Sequence, residues 1–262
     1  MKIPIISILL ASILFLNCSE KKAETNRETT IADMEETKVQ APTHQQIITV
    51  HTPNWNAVEG TLRRFEWNGE TWTEIGNAID IVVGKKGMGW GHGLENYQDR
   101  EGPVKHEGDL KSPAGVFALG SAFGYAPKEE VSWIKTDYHH VTKATMCIED
   151  GTSAYYNQII DEGQAQTDWN STDHMLRKDD LYEWGMFVVH NSPQAVNGDG
   201  SCIFLHVAEI DDDGTAGCTA MAKSRMLEIL QWVDETKNPI LIQTPEFTQK
   251  EFHGLYNLTG IF

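Results

Sequence analysis

The chain has 262 residues, 40% of them hydrophobic, with 8 Trp and 9 Phe, which is enough to build one large domain or two small ones around a core. Its formal net charge of -17 argues against polyanionic partners, because nucleic acid and an anionic membrane surface would both be repelled. No internal repeat is apparent.

Met1 and Lys2 precede an apolar run over residues 3–16, which is short for crossing a bilayer core of about 30 Å but suits the apolar centre of a signal peptide. Cys18 follows at once, and then Ser19, Glu20 and Lys21. This order resembles a bacterial lipoprotein signal, with residues 1–17 removed and Cys18 lipidated, although Asn17 stands where a small residue is usual. Plain secretion and an uncleaved anchor are the alternatives. The expected location is the periplasmic side of the cell envelope, with membrane contact through the lipid anchor only. Residues 18–45 are polar, charged and almost free of aromatics, so they read as a flexible tether. Setting Cys18 aside leaves Cys147, Cys202 and Cys218, which in an oxidising compartment allow one disulfide and one free thiol.

Residues 46–52 (QIITVHT) read as a first strand. Asn68-Gly69 between Trp67 and Trp72 predicts a β-hairpin with a type I′ turn. An apolar strand over 79–83 leads into a glycine-rich loop, 84–93, whose irregular spacing does not fit a phosphate-binding motif and which reads as a packed loop. Residues 111–119 are a turn entering a strand, and 131–134, 144–148 and 186–190 are further short strands. The polar, aromatic stretch 153–182 has no clear period and reads as loop and short helix around a site. Residues 221–233 place Met226, Leu227, Leu230 and Val233 at helical spacing, with Trp232 beside them. A last strand, 240–243, lies between Pro239 and Pro245, and residues 246–262 form a patternless C-terminal tail. Many short strands and few helices make a mainly β (α+β) body over residues 46–245.

Residues 202–207 read as an apolar strand that delivers His206, and an acidic, glycine-containing turn then returns the chain to Cys218. On an extended strand Cys202 and His206 share a face but lie ~13 Å apart, so Cys202 is a poor partner for that base. Cys218 has enough intervening chain to fold back onto His206, forming a thiol nucleophile with its base. Ala216-Gly217-Cys218 can offer amides unhindered by bulky side chains to an oxyanion, and the helix that follows brings a positive dipole end that favours thiolate. The competing reading of Cys218 is a buried structural cysteine. Asp211-Asp212-Asp213 lacks the spread of ligands of a calcium loop and reads as a solvated turn. His92, His106, His139 and His140 show no zinc-ligand spacing, so neither a metal nor any other cofactor is expected.

Phe204-Leu205-His206 followed by Gly214-Thr215-Ala216-Gly217-Cys218-Thr219-Ala220-Met221 resembles the signature of bacterial L,D-transpeptidases of the YkuD type, in the branch with an Ala-Gly-Cys-Thr-Ala-Met segment. The resemblance extends through Val82-Val83-Gly84, Gly87, Trp90-Gly91, residues 107–117, Val189-His190-Asn191, Trp232 and Pro239, or roughly residues 79–245. It implies a β-sandwich catalytic domain with a few helices, one of them after Cys218, acting on peptidoglycan stem peptides. It also implies Cys218 as nucleophile, His206 as proton acceptor and donor, and Gly217 and Cys218 as oxyanion amides. Thr219, His190 and Asn191 are the candidate substrate-binding residues, His190 having a hydrogen-bonded strand-end histidine as its plainer reading. Attack on the L-centred diamino residue before D-Ala in a tetrapeptide would release D-Ala, and the thioester would pass to an amine of a neighbouring stem. Two departures stand out: Ala216 replaces a second histidine of the commoner signature, and Ala220 replaces its Arg or Asn.

Three other activities stay open on this reading: an L,D-carboxypeptidase or endopeptidase with the same Cys-His pair, a non-catalytic wall-binding lipoprotein, and a zinc-dependent wall amidase. Cys147 and Cys202 remain candidates for a disulfide that would shield Cys218, for two core thiols, or for accessory redox groups.

Overall fold

The computed structural model describes residues 42–208, 213–256 and 258. The signal-like segment, Cys18, most of the tether, Asp211, Asp212 and the end of the chain lie outside the described residues. In chain order the strands are β1 (Gln46–Thr52), β2 (Glu59–Trp67), β3 (Trp72–Glu74), β4 (Ile79–Val82), β5 (Met88–Trp90), β6 (Ser112–Gly124), β7 (Tyr138–His140), β8 (Thr145–Ile148), β9 (Ile159–Asp161), β10 (Thr172–His174), β11 (Trp184–Val188), β12 (Phe204–Val207), β13 (Thr219–Met221) and β14 (Ile240–Pro245). Helix α1 (Lys223–Trp232) lies between β13 and β14, and the one-turn α2 (Lys250–His253) follows β14.

The main sheet runs β1-β14-β6-β11-β12-β13-β4-β2, and β2 pairs antiparallel with β1, so it closes on itself like a barrel. The protein is mainly β as expected, but a closed sheet takes the place of the expected sandwich. The cause lies in β1, a strand buried on both faces, which is parallel to β14 along one edge and antiparallel to β2 along the other. No free strand edge is left there. A second, three-stranded sheet, β10-β8-β9, stands beside it.

The core is filled by aliphatic and aromatic side chains from opposite walls, among them Ile47, Ile48, Val116, Phe117, Leu205 and Ile242. Helix α1 packs on β11 and β12 and buries Met226, Ile229 and Leu230; Ile229 takes the core position expected of Leu227, which is half-buried. The residues beyond Pro245 are no loose tail where they are described, because Phe252 and Leu258 are buried in the same core.

Several local expectations are revised. The Trp67–Trp72 hairpin is closed by four residues, not two, and only Gly69 among them has positive φ, so the turn is not type I′. The Asn68 side chain organises it instead, accepting from the amides of Glu70 and Thr71. Residues 131–134 form a turn in place of a strand, closed by Ile134 N–H to the Val131 carbonyl. The stretch 153–182 contains β9 and β10 and no helix, its two short strands paired with β8. The glycine-rich loop contains β5, parallel to β6.

Candidate active site

Cys218 sits on a short connection between an isolated bridge at Thr215 and the start of β13, and its carbonyl is held from two directions. Thr215 Oγ1 donates to it at 2.6 Å, and Ser112 Oγ donates at 2.8 Å. The Ser112 oxygen in turn accepts from Gly84 N–H at 2.9 Å, which ties the cysteine to the turn after β4. Both residues lie in segments that carry the resemblance, but neither hydroxyl is assigned a role there. Thr215 had a local signal, a small hydroxyl residue three positions before the cysteine, whereas the contact with Ser112 spans 106 residues.

The parallel register of β12 and β13 pairs Leu205 with Thr219 and His206 with Ala220. Phe204 is therefore level with Cys218, and His206 lies two residues further along the same face, because side chains alternate along a strand. The thiol is buried; Sγ accepts from Phe204 N–H at 3.3 Å and donates to the Cys202 carbonyl at 3.5 Å. His206 Nδ1 contacts the Val207 carbonyl at 2.8 Å, which assigns the proton to Nδ1 and leaves Nε2 as the acceptor. Its ring meets Tyr182 edge-on at 5.2 Å, and the Tyr182 hydroxyl donates to Asp173 at 2.6 Å. No hydrogen bond joins Cys218 to His206 in this resting arrangement; the fold brings them to one face of adjacent strands.

Burial sets the protonation of both. It pushes the Cys218 thiol up to about 12, against the opposing pull of the Phe204 amide; Asp173 and Glu149 push further up, and Lys105 pulls down. Burial holds His206 down at about 4, with the Val207 carbonyl acting the other way. Both are neutral near pH 7, and moving the proton from thiol to imidazole in the closed site costs on the order of 10 kcal/mol. The expected helix-dipole activation of the thiol is not found: β13 lies between Cys218 and α1, and a dipole acts only over the first turn.

Cys147 and Cys202 form a disulfide, with Cα atoms 6.0 Å apart. Cys202 is also not on the strand assigned to it: β12 begins at Phe204, and Cys202 has φ of 55°. The strand-spacing argument against Cys202 as nucleophile is replaced by a simpler one, since its sulfur is already bonded.

The other predicted residues are not brought to the thiol. Thr219 alternates to the opposite face and donates to Gln243 Oε1 at 2.6 Å inside the core. Both ring nitrogens of His190 face backbone carbonyls, of His92 at 3.1 Å and Asp199 at 3.0 Å, and burial holds this histidine down at about 4. Its imidazole lies directly over Gly91, where a Cβ would come within 2.7 Å of the ring. Asn191 spends its amide on Val196 and Gly200 within the same loop. Gly217 N–H is engaged by Thr215 Oγ1 at 3.1 Å, so an oxyanion there would compete with that hydroxyl. Asn157, which the sequence does not flag, is the buried hub of the region: Nδ2 donates to the carbonyls of His190 and Asn191, and Oδ1 accepts from Cys202 N–H, all at 2.8 Å.

Among the described residues no group of three or more His, Cys, Asp or Glu is placed to hold a metal ion. His92 and His139 are instead matched with Asp199 and Asp161. A cleft of about 790 Å³ lies elsewhere, lined by His51, Glu59, Arg63, Asp80 and Glu246 among others, and includes none of the residues around Cys218.

No curated protein matches the chain. Among solved structures, the helical cell shape determining protein Pgp2 from Campylobacter jejuni aligns with a TM-score of 0.39 at 15% identity, over 77% of this chain and 48% of that one. The chain thus spans about half the length of that protein. Residues 46–242 match the L,D-transpeptidase catalytic domain, YkuD, over most of the folded region, and on that match the chain belongs to the L,D-transpeptidase catalytic domain family.

Proposed function

We propose that this protein is a peptidoglycan L,D-transpeptidase that works through a thioester on Cys218, tethered to the envelope by lipid on Cys18. The observation that carries the reading is the β12–β13 register, which puts a thiol held by a backbone amide on the same face as a neutral histidine whose Nδ1 is held by the Val207 carbonyl. Cys218 Sγ attacks the carbonyl of the L-centred diamino residue of a tetrapeptide stem as His206 Nε2 takes the thiol proton. Because a free ion pair is costly in this buried site, deprotonation and attack proceed together, with the developing charge passing to the oxyanion. The Cys218 and Gly217 amides receive that oxyanion, the latter exchanging its contact with Thr215. His206 then returns the proton to the departing D-Ala amine.

Transfer to an amine, in preference to water, is favoured by the charge around the thiol. Asp173 and Glu149 both bear on Cys218, and burial, with Asp173 and Glu107, holds Glu149 up at about 7. Above pH 7, where Glu149 is mostly charged, these two carboxylates outweigh the single Lys105 and attract a cationic acceptor. The hydrolytic reading is favoured by Ala216 and Ala220: Ala216 is exposed, and Ala220, level with His206, is packed against Val82 and Ala208, so neither offers a polar group to a stem carboxylate. Mass spectrometry of the products from a defined disaccharide-tetrapeptide separates the two. Cross-linked dimers with released D-Ala are expected, and tripeptide with D-Ala but no dimer would convert the assignment to an L,D-carboxypeptidase.

A further inference from the structure

Cys202 is constrained at three points. Its sulfur is bonded to Cys147 of β8, its N–H is held by Asn157 Oδ1 at 2.8 Å, and its carbonyl accepts the Cys218 thiol at 3.5 Å. It meets these demands in the left-handed conformation, φ 55°, which costs a non-glycine residue about 1–2 kcal/mol and persists only where neighbours impose it. The disulfide joins two parts of the site that are far apart in sequence, since its partners are 55 residues apart. On the small sheet, Asp173 pairs with Cys147, so these two lie level with each other, and Tyr182 links Asp173 back to the ring of His206. Cys147, Cys202 and Cys218 all belong to one buried cluster with Phe204 and Tyr182.

We propose that Cys147 and Cys202 are positioning residues: their bond fixes the carbonyl that holds the Cys218 thiol, so the oxidation state of this pair sets the reactivity of the nucleophile. Reduction by a dithiol would exchange the Cys147–Cys202 bond for two thiols while the dithiol closes to its own disulfide, and Cys218 keeps its proton throughout. Cys202, released from β8, would relax out of the left-handed region and turn its carbonyl away. The thiol would then lose its acceptor and meet water, becoming easier to ionise and less well aimed. The consequence for catalysis rests on the assignment of Cys218 as nucleophile, whereas the consequence for thiol chemistry does not.

The test measures the pH profile of Cys218 alkylation by iodoacetamide, read by mass spectrometry of the modified peptide, in the wild type and in the Cys147→Ser/Cys202→Ser double variant. Ionisation easier by one pH unit means about tenfold faster alkylation below the midpoint, and a change of at least that size is expected in the double variant, together with a fall in kcat larger than any change in KM. A variant that melts lower but keeps the wild-type alkylation profile would show a merely structural bond and overturn the proposal. Should the double variant not fold, Asn157→Ala keeps the disulfide while removing the other anchor of Cys202, and wild type reduced under native conditions breaks the bond without mutation. Unchanged profiles in both would equally overturn it. Cys218→Ala with undiminished turnover would instead sink the proposed function while leaving the alkylation result standing.

Discussion

In a His206→Gln variant, D-Ala release from a tetrapeptide is expected to fall by about 10²–10⁴-fold, the usual contribution of a positioned general acid and base. Glutamine can keep a hydrogen bond to the Val207 carbonyl that now takes His206 Nδ1, so the variant should fold and the loss should fall on kcat. The same assignment fixes the acid limb of the wild-type pH profile. Burial holds His206 down at about 4, so its base form persists well below the ordinary histidine range, and activity should decline only as the pH approaches 4. An acid limb near 6.5 in kcat/KM, or a His206→Gln enzyme within a few-fold of wild type, would contradict the role given to this residue.

The second large effect concerns stability. His190 and His206 are both buried and both held at about 4, against an ordinary value of 6.5. The unfolded chain therefore takes up protons that the folded chain refuses. The stability from their neutral burial is fully present above pH 6.5 and is lost as pH falls towards 4, at roughly 3 kcal/mol for each histidine. Glu149 acts in the opposite sense: held up at about 7 in the fold, it gains stability as pH falls through 7, but it is only half-buried, so solvent screening reduces its share. The histidines win, and urea unfolding should show a loss of several kcal/mol between pH 7 and 4.5, a large part of the ~5–15 kcal/mol typical of a domain. A midpoint that stays level or rises over that interval would contradict the burial of two neutral imidazoles.

The mainly β character was legible because it rests on local patterns. The run from Gln46 to Thr52, the 3.6-residue period of α1 and the apolar stretch beginning at Ile240 each announce their element within a few residues. Closure of the sheet was not, because it depends on β1 accepting partners from both β2 and β14, and nothing in a strand's own sequence counts its neighbours. Residues 131–134 misled for the converse reason: four apolar-leaning residues carry too little pattern to separate a strand from a turn packed on the core. In the candidate site, the sequence placed Phe204-Leu205-His206 on a strand, which is β12, and Gly217-Cys218 lie just before its neighbour β13. The supporting contacts from Ser112, Asn157 and Tyr182 come from distant segments and become visible only in the fold. Thr219 shows how one position of alternation separates a residue at the site from one in the core.

On the proposed mechanism the Cys218 sulfur carries the acyl group. Intact-mass analysis of the protein after brief mixing with a defined tetrapeptide stem, quenched in acid, tests it most directly. An adduct of the stem lacking D-Ala is expected, mapped to Cys218 and absent from Cys218→Ala, with D-Ala released in equal amount. D-Ala release that persists in folded Cys218→Ala, or turnover by wild type with the adduct on another residue, would contradict it.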